Sequence, residues 1–171
     1  MADDARAGSS AGRFRYEVVV HCDAAPSEVW PLVAEAERWK QWTFLTHTSL
    51  KRRGQPEPDG VGALRRFGVG PFGSLEEVVL FEPPRQLGYE ARKGMPARHY
   101  RADIVLDEEA GGTRVTWSGS LEPLVPGTGR LVLAYARGFV ARFARSLARY
   151  TGAPQPTGPQ GAAPDASDAA G

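Results

Sequence analysis

The chain has 171 residues, 42% hydrophobic and 24% charged, which suits one globular domain with a sizeable core and excludes a wholly disordered or fibrous protein. Lys plus Arg count 21 against 20 Asp plus Glu, so the net charge of +1 gives no global pull toward nucleic acid or anionic membrane. The one cysteine, Cys22, excludes an intrachain disulfide and any cysteine-rich zinc or iron–sulfur site.

Residues 1–12 carry early acids and no apolar stretch, unlike a signal or transit peptide, and read as a disordered N-terminus; no apolar run approaches a membrane span, so a cytoplasmic location is expected. Residues 13–21 alternate as a strand with Phe14, Tyr16, Val18 and Val20 on one face. Pro26 suits a first helical position, and Val29, Trp30 and Val33 form an apolar stripe before a second short helical turn over 36–42. Pro31 interrupts the first helix and predicts a kink or tightening there.

Six further strands are predicted at 44–51, 61–67, 74–82, 86–92, 99–107 and 113–121, separated by Gly- and Pro-rich turns. Gly68-Val-Gly-Pro-Phe-Gly73 matches the GxGxxG spacing of dinucleotide sites, but the following residues read as a strand ending at Pro83-Pro84, so a hairpin turn is expected. The last element is a long amphipathic helix with Val132, Ala136, Phe139, Val140, Phe143 and Leu147 on one face. Arg130, Arg137, Arg142, Arg145 and Arg149 occupy the opposite arc with no acid among them, and are expected to meet scattered surface carboxylates. Residues 152–171 are rich in Ala, Gly and Pro and read as a disordered tail, leaving one domain over 13–151.

His21, His47 and His99 fall on separate strands without metal-ligand spacing, so no metal and no cofactor is expected. No nucleophile elbow or phosphate loop is present, and nucleic-acid binding is not expected, because the arginine face lacks interleaved aromatics. Strand 74–82 has apolar residues in both registers, so either Glu76 or Glu77 shares a face with them. That carboxylate points into the interior as a candidate acid or base, or pairs with an arginine such as Arg65 or Arg66.

The order strand, helix pair, six strands, long helix resembles the helix-grip fold of the SRPBCC superfamily, which includes START lipid-transfer domains and polyketide cyclases. Ala25-Pro-Ser-Glu-Val-Trp30, Glu76-Glu-Val-Val-Leu-Phe-Glu-Pro-Pro-Arg-Gln-Leu-Gly-Tyr89 and Gly111-Gly-Thr-Arg-Val-Thr-Trp117 are similar to its opening helix, its strand with Pro-Pro turn, and its last hairpin. The resemblance implies an α+β domain in which a curved antiparallel sheet of about seven strands wraps the C-terminal helix around a ligand cavity. Alternation then nominates Tyr89, Tyr100, Ile104 and Trp117 on the sheet, with Tyr135, Phe139 and Phe143 on the helix, as ligand-binding residues. Two functions follow from the resemblance: a carrier for a hydrophobic or amphipathic small molecule, lipid-like or polyketide-like, or a cofactor-independent aromatase/cyclase or dehydratase with Glu76, Glu77 or His47 moving protons. A regulatory interaction module is a third. Transient contact with a membrane surface fits the basic helix; the oligomeric state is not legible.

Overall fold

The computed structural model describes residues 13–152; the segments expected to be disordered, 1–12 and 153–171, lie outside the described residues. Gly152, assigned to the tail by composition, is the last helical residue. The elements run β1 (Phe14–Cys22), α1 (Pro26–Ala34), a 3₁₀ turn (Ala36–Arg38), α2 (Trp39–Trp42), β2 (His47–Arg52), β3 (Leu64–Val69), β4 (Phe72–Glu82), β5 (Gln86–Lys93), β6 (Ala97–Glu109), β7 (Gly112–Pro123) and α3 (Gly129–Gly152). The seven strands form one antiparallel sheet in the order β1-β7-β6-β5-β4-β3-β2, a meander closed by β1 beside β7. No described helix is long and apolar enough to cross a membrane.

Local chemistry sets the corners. Pro26 opens α1, and the Glu28 carboxylate reaches back to accept the Ala25 N–H at 3.0 Å. The helix continues across Pro31 and ends with the Glu35 N–H on the Pro31 carbonyl. The GxGxxG segment is the β3–β4 hairpin: Val69 pairs with Phe72, and Gly70 takes the positive φ (57°) that the tight turn requires. Two strands start later than hydropathy suggests. Val61 bridges back to Gln55 within its own loop, and Phe44 leaves the β2 line to stack on Phe143 of α3, ring centroids 5.3 Å apart.

One row across the concave face explains where space is left. Tyr16, Gly119, Ala102, Tyr89 and Val78 are consecutive cross-strand partners on β1, β7, β6, β5 and β4. The two small residues in the middle make room for large neighbours: a Cβ at Gly119 would lie 2.4 Å from the Tyr16 ring and hydroxyl. Over this face α3 lays Val132, Ala136, Val140, Phe143 and Leu147, all buried, and its first residue, Gly129, sits against the Phe14 ring.

β4 changes face partway along. Its register shifts between Val78 and Leu80, so Val78 pairs with the inward Tyr89 and Phe81 with the inward Leu87. An extra residue at a bulge lets both registers of an apolar strand face inward, one before it and one after. Phe81 accordingly meets Trp30 of α1 edge-on, centroids 5.1 Å apart.

Candidate ligand cavity

Between α3 and β3–β6 the packing leaves a cavity of about 300 Å³, roughly ten water molecules' worth of liquid volume. Its floor is Trp39, Phe67, Tyr89 and Tyr100, and its helix wall is Ala136, Phe139, Val140 and Phe143. Val69 and Phe72 on the β3–β4 hairpin, Met95 on the β5–β6 turn and Tyr135 on α3 stand where it opens. Phe72 is 80% exposed and Tyr135 56%, which marks the mouth. Gly94 lets the β5–β6 turn close against β4: its φ is +87° and a Cβ there would lie 2.1 Å from the Gly73 carbonyl oxygen.

One carboxylate lies inside this apolar wall. Glu76 lines the cavity with 14% of its side chain exposed, and its direct cross-strand partner is Arg65, whose side chain is fully buried. Arg65 Nη2 stands 3.6 Å from Glu76 Oε2, an ion pair without a hydrogen bond. Arg65 Nη1 donates to the Val33 carbonyl at 3.4 Å, and its guanidinium lies 5.2 Å from the ring centroids of both Phe67 and Tyr89. The Ser74 hydroxyl donates to Glu76 Oε1 at 3.1 Å, leaving Glu76 Oε2 and Arg65 Nε and Nη2 without hydrogen-bond partners. Burial raises the Glu76 carboxyl above its usual range, opposed by Arg65 and Ser74; burial likewise lowers Arg65, opposed by Glu76.

A tyrosine line supplies the remaining polarity. The Tyr16 and Tyr100 hydroxyls are 2.5 Å apart, and the Trp117 indole N–H donates to the Tyr89 hydroxyl at 3.0 Å. Burial and neighbouring acidic groups hold Tyr89 and Tyr100 well above an ordinary phenol, so both remain protonated donors at neutral pH.

The geometry sorts the candidates named from the sequence. Glu76 is the carboxylate that faces the cavity. Glu77 does not reach it, because it lies on the outer face in ion pairs with Arg52 and Arg92, each at 2.8 Å. His47, expected as a proton-transfer candidate, does not reach it either: it is exposed, with Nε2 2.6 Å from the Gly70 carbonyl oxygen, while its neighbour Thr48 takes the buried position. Tyr89, Tyr100, Tyr135, Phe139 and Phe143 line the cavity. Ile104 and Trp117 do not. Both are fully buried, and the Trp39 and Phe143 rings pack on Trp117 at 5.8 and 6.3 Å. Sequence reading misses Trp39 and Phe67 as parts of this site, while Arg65, named there as a possible partner of the inward carboxylate, is that partner. Phe67 is the available signal, because an inward Phe67 forces Arg65, two residues before it in the strand, onto the same face.

Residues 13–152, all of the described chain, match the sequence family described as polyketide cyclase / dehydrase and lipid transport. The chain belongs to this family. No curated protein matches its sequence. Solved structures share the helix-grip fold: a START superfamily protein from Mycobacterium smegmatis is 14% identical over 81% of this chain and 97% of its own, with a TM-score of 0.70. CalU16 from Micromonospora echinospora is 17% identical over 80% of this chain and 73% of its own, TM-score 0.59. DynU16, from the dynemicin biosynthetic locus, is 26% identical over 80% of this chain but 46% of its own, TM-score 0.62. The polyketide cyclase/dehydrase and lipid-transport family is thus represented here by an SRPBCC domain whose sheet and helix enclose one acidic, mainly apolar cavity.

In this member of the family the arginine arc of α3 departs from expectation. Among the described residues, none of Arg130, Arg137, Arg142, Arg145 and Arg149 is in an ion pair. Several surface carboxylates pair instead with arginines of the sheet, and Arg142 lies over the Phe44 ring, 4.0 Å from its centroid.

Proposed function

We propose that the domain binds a small hydrophobic molecule bearing a hydroxyl or similar hydrogen-bond donor, polyketide-like or a short lipid-like chain, whose polar end meets Glu76. The observation that carries this reading is the part-exposed Glu76 carboxylate in the wall of a mainly apolar cavity. Apolar walls with a few placed polar groups supply affinity and orientation respectively. The volume of about 300 Å³ suits a two- or three-ring aromatic or a short acyl chain, and the family description supports a ligand of this chemical class. The test compares binding of 2-naphthol and naphthalene by calorimetry. A hydrogen bond to a charged acceptor contributes about 1.5 kcal/mol, so 2-naphthol binds about tenfold more tightly, and the ratio falls toward one in Arg65→Met/Glu76→Leu, which leaves no buried charge behind. Absence of binding by both compounds, or an unchanged ratio in the variant, overturns the reading.

Proton transfer by Glu76 is the second reading, favoured by its raised carboxyl and by the protonated Tyr89 and Tyr100 phenols beside it. Such a carboxylate takes a proton from a carbon next to a ketone and returns one to a departing β-hydroxyl, which leaves as water. Dehydration of a β-hydroxy aryl ketone that is lost in Glu76→Gln supports catalysis; equal rates with and without protein reduce the domain to a carrier.

A further inference from the structure

The described residues expose eight large apolar side chains, and six of them gather at one end: Val69, Phe72, Leu124, Val125, Leu131 and Tyr135. The topology puts them there. Ala97 pairs with Pro123, so the β5–β6 turn lies beside the loop leading into α3, and Leu75 pairs with Lys93, so the β3–β4 hairpin lies on the other side of that turn. The cavity opens between these segments, at Val69, Phe72, Met95 and Tyr135. Phe72 is 80% and Leu131 73% exposed, far more than scattered surface residues need.

The charge at this end is mainly positive; Glu122, which shares an outer cleft with Arg130, is paired with Arg13 at 3.7 Å. The stretches 66–75, 91–102 and 123–152 contain no Asp or Glu. They carry Arg66, Lys93, Arg98, Arg130 and Arg137, none of them in an ion pair among the described residues. Residues 1–12 and 153–171 hold no large apolar side chain except Met1 with which to cover the patch.

We propose that this end docks on an anionic lipid bilayer, with Phe72, Leu131 and Val125 at the acyl boundary, Tyr135 at headgroup depth and the cations behind them facing phosphates. Isolated apolar tips on separate segments, backed mainly by cations, follow the depth order of a membrane interface, which needs no shape-matched partner. Docking there opens the cavity directly onto the bilayer, so an apolar ligand passes between them without crossing water. The proposal goes beyond ligand binding and stands whatever fills the cavity.

Flotation of the full chain with phosphatidylcholine vesicles, with and without about one-third phosphatidylglycerol, tests it at low and high salt. Anionic vesicles carry the protein up at least tenfold more than neutral ones, and high salt releases it. At about fivefold per arginine, Arg130→Gln/Arg137→Gln reduces partitioning by more than tenfold, and Val125→Ser/Leu131→Ser reduces it by about tenfold. None of these four residues lines the cavity, and an unchanged urea midpoint shows that both variants are folded. Failure to float with anionic vesicles at low salt, flotation unchanged in both variants, or stable binding to an acidic protein without vesicle binding overturns the proposal.

Discussion

Arg65 and Glu76 are unequal partners. A carboxyl in an apolar site escapes its desolvation cost by taking a proton, whereas a guanidinium remains charged. Glu76→Gln therefore strands a fully buried cation and is expected to cost about 3 kcal/mol or more, Arg65→Met distinctly less, and the double variant less than the sum; urea denaturation measures all three. The proton itself has a pH signature. The folded state holds it on Glu76 to higher pH than the unfolded chain does, because burial raises the carboxyl. Its stabilisation is thus fully present below about pH 4.3 and is lost as pH rises through the folded-state value. Urea midpoints followed across that window fall in the native protein, and this part of the slope disappears in Glu76→Gln; parallel profiles contradict the account. Hydropathy hides Arg65, since a charged residue in a strand reads as outward. Its pairing with Glu76, its hydrogen bond to the Val33 carbonyl and the ring faces of Trp39, Phe67 and Tyr89 make the inward position tenable.

Strands with strict alternation are legible from residue order alone. On β6, Tyr100, Ala102, Ile104 and Leu106 are all buried, as their spacing predicts, and on β7 Val115, Trp117 and Leu121 likewise. β4 is not legible in that way, because a bulge has no hydropathy signature and reverses the alternation partway. The glycines of the concave face show in the sequence only as gaps in a pattern; their role emerges from what fills the gap. Gly119→Ala drives a methyl group into the Tyr16 ring and is expected to destabilise the domain by about 1–3 kcal/mol, with part of that recovered in Tyr16→Leu/Gly119→Ala. An unaltered midpoint for the single variant contradicts this packing. The 3.6-residue period reveals the apolar side of α3, but pattern alone misleads on its polar side: the arginines look like ordinary partners of surface acids, yet none is in an ion pair among the described residues, and several of those acids pair with the sheet's own arginines.

Across the whole molecule, near-zero net charge conceals a division between a mainly basic surface around the cavity mouth and the acids of the remaining surface. The fold class is written in element order and turn chemistry, whereas the ligand is constrained only by cavity volume and by one carboxylate. Binding to the native state alone adds about 2.7 kcal/mol at a hundredfold excess over Kd, so a fitting ligand raises Tm by about 5–10 °C in this size range. An apolar compound too large for the cavity gives no such rise. The most direct measurement is an NMR titration of the full chain with 2-naphthol, following backbone amides. Saturable shifts concentrated at Gly68, Ser74, Glu76, Tyr89, Gly94 and Phe139 are the predicted result; no saturable shifts, or shifts centred on the outer cleft at Gln41 and Arg149, contradict a ligand held between sheet and helix.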